Sequence, residues 1–243
     1  GVAEDVYPDK YKDFLSKIPL VNVDIGSFLS FSCIKDINFF DRLLLTTMMP
    51  VLVFAVLAGT YTVAKKRNGT SEAAIRAVQN KHMSAALFVT FLLYSPVSST
   101  VFKTFVCDSL DDDVKYLRAD YSISCWCHKH YGFVGYATLM VMVYPFGIPA
   151  AFTWWLARHR HDLTKPGRET VARLQACSSL WAAYRPEKFY YEVIECVRRA
   201  TIMAGTVFVL PDHAAQIAVV FLIAAVFWFV SESLHPFQHK IDT

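Results

Sequence analysis

Charge is scarce in this sequence. Asp, Glu, Lys and Arg make up 19% of its 243 residues, against about a quarter in an ordinary soluble domain. The charge present is nearly balanced, 24 Lys and Arg against 21 Asp and Glu for a net +3, which excludes the strong basic field of a nucleic-acid binder. Catalytic signatures are missing too: there is no Gly-rich phosphate loop, no HExxH, no GxSxG and no dinucleotide-binding fingerprint. Nothing here specifies an enzyme. No internal repeat or low-complexity tract breaks the chain. It begins without Met or a signal peptide, so an upstream segment is expected.

What fills the space is apolar: 54% of residues are hydrophobic and 15% aromatic, with a mean hydropathy of +0.32. These residues come in blocks near the roughly 20 residues that a helix needs to cross a bilayer. Three blocks are well delimited, Leu43 to Ala64, Met83 to Phe102 and Gly132 to Ala157. A fourth, Phe189 to Leu210, reaches sufficient length only by including Glu192, Glu195, Arg198 and Arg199. A fifth, Ala214 to Val230, follows after Pro211, Asp212 and His213, the spacing of a tight helical hairpin. The expected fold is an all-α polytopic transmembrane helix bundle of about five spans over residues 43–243. Residues 1–42 are expected to form an outer interfacial or cap segment, with apolar positions such as Tyr11, Phe14 and Ile18.

Loop charge orients the bundle. The first connection carries Lys65, Lys66, Arg67, Arg76 and Lys81, and the third carries Arg158, Arg160, Lys165, Arg168, Arg173, Arg185 and Lys188. The second is acidic, with Asp108, Asp111, Asp112, Asp113 and Asp120. The expectation is an integral membrane protein with its N-terminus outside or lumenal and its C-terminus on the cytosolic or stromal side. The sequon Asn68-Gly69-Thr70 runs against this, because it falls in a loop placed inside. Four cysteines, Cys33, Cys107, Cys125 and Cys127, fall on the outer side, where disulfides persist. One pairing of the three possible joins Cys107 to Cys125 across the acidic loop and leaves Cys33 for Cys127. Cys177 and Cys196 are expected to be free.

Candidate chemistry is sparse. Cys125-Trp126-Cys127-His128-Lys129-His130 holds two thiols and two imidazoles, but the spacing is too tight for a usual closed zinc site, and no metal is expected. In the second span Ser95, Ser98, Ser99 and Thr100 surround Pro96, with Lys103 just beyond. They read either as a hydrated wall or, preferably, as a small-residue helix contact. In the third, Tyr144-Pro145-Phe146-Gly147-Ile148-Pro149 sets two prolines four apart, so a bend, break or hinge is expected at Pro145, Gly147 and Pro149. In the fourth, Glu192, Glu195 and Arg199 can share a face as an ion-pair seam, while Arg198 and Arg199 can snorkel to headgroups. Residues 162–183, with Val171, Leu174, Leu180 and Trp181, suggest a helix on the inner leaflet. The eight histidines mostly flank spans; lipid or pigment could bind there, but no cofactor is required.

Four stretches together carry a resemblance: Ser95 to Cys107 (SPVSSTVFKTFVC), Tyr116 to Cys125 (YLRADYSISC), Tyr144 to Pro149 (YPFGIP) and Tyr184 to Arg199 (YRPEKFYYEVIECVRR). In order and content they resemble a group of polytopic membrane proteins of protists and algae labelled transient receptor potential-like or G-protein-coupled-receptor-related. Many of these carry cysteine-rich or EGF-like ectodomains upstream, and the tract after a motif like His235-Pro236-Phe237 leads into further spans. The resemblance implies a non-enzymatic sensory or ion-conducting membrane domain working as a homo-oligomer. The alternative is an accessory subunit of a larger bioenergetic or photosynthetic membrane complex, with lipid or pigment in its grooves. A small-solute transporter using the proline break ranks last, since no repeat is present.

Overall fold

The computed structural model of the chain describes residues 38–67, 71–109, 114–165, 167, 171–208 and 214–237. Cys33, most of the expected outer cap, the sequon and the Pro211–His213 turn lie outside the described residues. The fold is an all-α polytopic bundle of about five spans. Helix α1 runs Phe39–Arg67 and α2 runs Glu72–Lys103. A three-stranded sheet follows, β1 Cys107–Ser109, β2 Lys115–Leu117 and β3 Asp120–Ser124. Helix α3, His128–Val141, passes through a π-turn at Met142–Gly147 into α4, Ile148–Arg158. Helices α5, Tyr191–Phe208, and α6, Ala214–Leu234, close the bundle.

Among the described residues four helical stretches are long and apolar enough to cross a membrane: Phe39–Arg67, Glu72–Lys103, His128–Arg158 and Gln216–Leu234. Helix α5 completes the five; its 18 residues reach about 27 Å at 1.5 Å per residue. Large apolar side chains stand exposed along α1 (Val51, Leu52, Val56) and α6 (Phe221, Trp228, Phe229). In water such faces would drive aggregation, whereas in hydrocarbon they are the lipid-facing surface. The protein is therefore an integral membrane protein.

The core has two levels. At one end Phe39, Phe40, Leu43, Val97, Val101, Ala137 and Tyr144 pack beneath the sheet, whose Leu117 points into them. At the other, Leu87, Tyr94, Phe152, Leu156 and Cys196 of the helices meet Leu163, Leu174, Leu180 and Trp181 of the α4–α5 connection. The connection was expected to be a helix on the inner leaflet. Among its described residues it forms only short turns, Arg160–Leu163, Ala172–Gln175, Ser178–Leu180 and Pro186–Lys188, and Leu163, Leu174, Leu180 and Trp181 plug the bundle instead of facing lipid. The Trp181 indole N–H donates to Leu174 O at 3.1 Å, which satisfies its one polar atom inside that plug.

The sheet was not anticipated. Its strands pair antiparallel in the order β1-β2-β3, with Cys107 opposite Leu117 and Tyr116 opposite Ser124. Three short strands in a cysteine-closed loop leave the all-α class intact.

Near Gly147, where a bend, break or hinge is expected, the chain stays helical and widens into a π-turn. Pro145 and Pro149 have no N–H, so the carbonyls four residues before them, Val141 and Pro145, lose their α-helical donors. The six-residue π-turn takes up the disruption without interrupting the chain. Gly147 is required there: a Cβ would lie 2.9 Å from Met142 O, a backbone atom that cannot swing aside. At Gly132, in α3, a Cβ would meet nothing within 4 Å. Gly147→Ala is therefore expected to cost about 1–3 kcal/mol through overpacking, and Gly132→Ala to leave stability unchanged or slightly raised. Thermal unfolding of both variants in one detergent checks this; equal midpoints would refute the tight π-turn.

Candidate functional site

Polar side chains gather at two ends and one waist. At the sheet end, Arg118 donates to both carboxylate oxygens of Asp108, and Tyr121 Oη donates to Asp108 at 2.9 Å. The Arg118 guanidinium holds the Asp108 carboxyl below the usual carboxylate range. Asp120 receives the N–H of Phe39 at 3.1 Å and the hydroxyl of Ser122 at 2.6 Å. Partial burial pushes its pKa up, but bonds from Ser122 and Phe39, with the nearby Arg42 charge, bring it below the ordinary value. Asp120 thus ties the start of α1 to the sheet.

Cys107 and Cys125 form a disulfide across the sheet, one half of the pairing drawn from the sequence. The other half involves Cys33, which lies outside the described residues; Cys127 itself is a free thiol. Cys127 is the N-cap of α3, where its sulfur accepts the N–H of His130 at 3.5 Å and donates to Ser124 O at 3.3 Å. The His130 N–H holds the thiol below its ordinary pKa.

The sulfurs of Cys107 and Cys125 and a ring nitrogen of His130 lie within 4.8 Å of one another, a spacing that could hold a metal ion. Two facts weigh against that use. The sulfurs are bonded to each other. Both His130 nitrogens are engaged: Nδ1 accepts from Trp126 N–H and Nε2, carrying the proton, donates to Thr104 O, each at 3.3 Å. Trp126 adopts a positive φ of 66° to deliver that N–H, and its ring stands edge-on to His130 at 5.8 Å.

The waist sits at the π-turn. Tyr94 Oη, on α2, lies 3.3 Å from both Pro145 O and Cys196 O, so one hydroxyl is shared between the carbonyl that Pro149 leaves without a donor and the backbone of α5. Tyr144 Oη donates to Thr47 O at 2.8 Å, and Thr47 Oγ1 pairs with Tyr136 Oη at 2.6 Å, beside Pro50 in α1. The π-turn that holds Pro145 and Gly147 is thus tied to α1 through Tyr144 and to α2 through Tyr94. No sequence pattern singles out Tyr94, because its role depends on two carbonyls far away along the chain.

The expected cluster on α2 divides. Ser98 is fully buried between Val97 and Val101, and its Oγ has no hydrogen-bond partner among the described residues. That suits the small-residue contact rather than a hydrated wall. Ser95 and Ser99 are half-buried. Thr100 bonds back to Pro96 O at 2.9 Å, and with Lys103 it lines a separate cavity at the sheet end.

The α5 seam divides as well. Glu192 is buried and accepts from Tyr184 Oη at 2.6 Å, whereas Glu195 takes a two-pronged bond from Arg198 and a 3.5 Å ion pair with Arg199. Arg198 and Arg199 therefore fold back onto Glu195 rather than extending to headgroups. Around Tyr184 a second contact closes the same end. Arg185 N–H donates to Pro236 O at 2.8 Å, and the Tyr184 and Phe237 rings lie 5.6 Å apart, so the Tyr184-Arg185-Pro186 and His235-Pro236-Phe237 motifs meet in space.

No family model, curated protein or solved structure matches this chain.

Two outcomes test these sites. Because the folded pKa values of Asp108 and Asp120 lie below their unfolded ones, their stabilisation is full above the unfolded value and is lost as pH falls through the folded values. The midpoint of unfolding should drop between about pH 5 and pH 2, and Asp108→Asn should flatten that drop. In non-reducing peptide maps Cys107 and Cys125 should be linked. Cys127 should be alkylated first, while burial, which pushes Cys177 up to about 11, protects that thiol until unfolding. Separate Cys107 and Cys125 peptides without reductant would remove the disulfide.

Proposed function

We propose that this protein is a non-enzymatic, channel- or receptor-like membrane domain that senses or conducts ions, of the transient receptor potential-like class its motifs resemble. The observation that carries the reading is the shared Tyr94 hydroxyl. It couples the π-turn of the third span to α5 through two backbone carbonyls. A π-turn inside a transmembrane helix is a frequent feature of functional sites, and a hydroxyl shared between two helices can be exchanged between them. The coupled helix, α5, carries the Glu195–Arg198–Arg199 cluster, the kind of ionisable group that marks function within membrane spans.

The orientation that best suits this reading has the disulfide-bonded sheet on the outer or lumenal side and Arg158, Arg160, Lys165 and Lys188 on the cytosolic or stromal side. Assembly as a homo-oligomer is part of the proposal, since α6 presents Phe221, Trp228 and Phe229 outward. Those same side chains are the specific support for the second reading, an accessory subunit whose α6 docks on other chains of a larger complex or holds lipid or pigment.

The test is reconstitution of the purified chain in planar bilayers, with its mass measured in mild detergent. A homo-oligomer giving unitary currents supports the proposal. Tyr94→Phe removes a bond worth about 0.5–1.5 kcal/mol, so it should shift the open-to-closed ratio by roughly two- to tenfold without preventing assembly. Silent bilayers, together with co-migration in a complex of other polypeptides, would overturn it in favour of the accessory subunit.

A further inference from the structure

The sheet end of the bundle encloses a cavity of about 310 Å³ that none of the interactions above fills. Five segments meet around it. Arg42 comes from the start of α1, Thr100 and Lys103 from the end of α2, Arg118 from the β2–β3 turn, Thr206 from the end of α5 and Gln216 from the start of α6. Three of these six side chains are cations, and among the described residues no carboxylate lines the cavity. Two acidic groups nearby lie outside the lining: Asp108 takes a two-pronged bond from Arg118, and Asp120 accepts the Phe39 N–H and feels the Arg42 charge. Among the described residues no carboxylate forms an ion pair with Lys103. Asp108 and Asp120 offset charge on the two arginines, and Lys103 leaves the partly enclosed site net positive, complementary to an anion, while the volume suits a small polar group.

The neutral groups narrow the choice. The Thr100 hydroxyl donates to Pro96 O, the Thr206 hydroxyl donates to Met203 O, and the Gln216 amide N–H donates to Thr206 O. Both hydroxyl protons and one of the two Gln216 amide protons are already used, so the threonines offer acceptor lone pairs and Gln216 offers its Oε1 and one remaining N–H. A ligand satisfying the whole lining carries negative charge for the cations and hydroxyl donors for the threonines and glutamine. A phosphate attached to a polyol has both. Position decides the source: directly beyond Gln216 the exposed Ile217 and Phe221 begin the apolar face of α6, along which acyl chains can lie while the headgroup sits in the cavity.

We propose that this cavity binds the phosphopolyol headgroup of an anionic phospholipid. The site goes beyond the sensory reading and stands whether or not the bundle conducts ions.

The full chain in mild detergent is titrated with phosphatidylglycerol, phosphatidylcholine or soluble glycerol 3-phosphate, and bound lipid is counted by native mass spectrometry. The expected result is one tightly held phosphatidylglycerol, with phosphatidylcholine bound at least about tenfold more weakly. Lys103→Gln should weaken phosphatidylglycerol about tenfold, the effect of losing one charge-assisted bond, and Lys103→Arg should restore it. Lys188→Gln, the same charge change at the other end of the bundle, should leave binding unaltered, so generic attraction is separated from the site. Lys103 is exposed at a helix end, so its variants are expected to fold, and an unchanged unfolding midpoint verifies this. Equal binding of the two lipids, or no loss in Lys103→Gln, overturns the proposal. Glycerol 3-phosphate binding as tightly as the lipid overturns the lipid as source, leaving a soluble phosphopolyol site.

Discussion

Inside hydrocarbon a backbone carbonyl without a donor has no water to turn to, and each such group costs several kcal/mol. This bundle places prolines within three of its spans, at Pro50, at Pro96 and at the pair Pro145 and Pro149. At Pro149 the packing meets the consequence directly, because the Tyr94 hydroxyl reaches the freed Pro145 carbonyl. Tyr94 and Tyr144 each carry a hydroxyl through an apolar core to a carbonyl on another helix, and Thr47 and Tyr136 bond to each other in the same layer. These bonds set which helices are neighbours at the middle of the bundle. The two apolar core levels divide around that layer, with Tyr94 in one and Tyr144 in the other.

The same requirement governs the ends. Glu192 is buried because Tyr184 brings a donor to it, and Tyr184 is held by its ring contacts with Tyr191 and Phe237 and by the Arg185 bond to Pro236. The Tyr184 proton is retained, since burial, reinforced by the Glu192 carboxylate it bonds, raises the phenol well above its ordinary pKa. At the opposite end Asp120 makes the first turn of α1 dependent on the sheet, and the disulfide makes the sheet dependent on the start of α3. A displacement of any one of these segments is therefore felt by the others. The cationic cavity sits where those segments converge, so an occupant touches α1, α2, α5, α6 and the sheet at once.

The fold class was legible because the physical signal is coarse: apolar blocks of bilayer length have few other uses, and charged residues at their ends mark where they stop. Even α5, with four charges, could be read as a span because Glu195 and Arg199 are spaced to neutralise each other. Boundaries were less legible. The expected second span begins at Met83, yet α2 begins at Glu72, since Glu72 and Arg76 form an exposed i,i+4 pair that lengthens the helix in a polar setting. The cysteine pairing across the acidic loop could be reasoned from spacing, but the sheet that orients it depends on short strands with a single inward residue, Leu117. The cavity was illegible for a different reason. Arg42, Lys103, Arg118, Thr206 and Gln216 belong to five segments with no common motif, and only the folded arrangement brings them to one wall.

Burial is distributed unevenly among the spans, and this bears on what the bundle can do. Helix α2 lies at its centre, supplying Leu87, Tyr94, Val97, Ser98 and Val101 to the interior, whereas no residue of α6 with a described side chain is buried. A helix packed on several sides moves only if its neighbours repack, while one held along a single edge can slide at little cost in buried area. Helix α6 is nonetheless fastened at both ends. Gln216 donates to Thr206 O at its start, and the αL residue His235 (φ 41°) turns the chain so that Pro236 and Phe237 reach Tyr184 and Arg185 at its end. An element loose along its length and tied at its ends can transmit a change at one membrane surface to the other. Its tether at the sheet end is a wall of the anion cavity, and its tether at the far end is the tyrosine that holds Glu192.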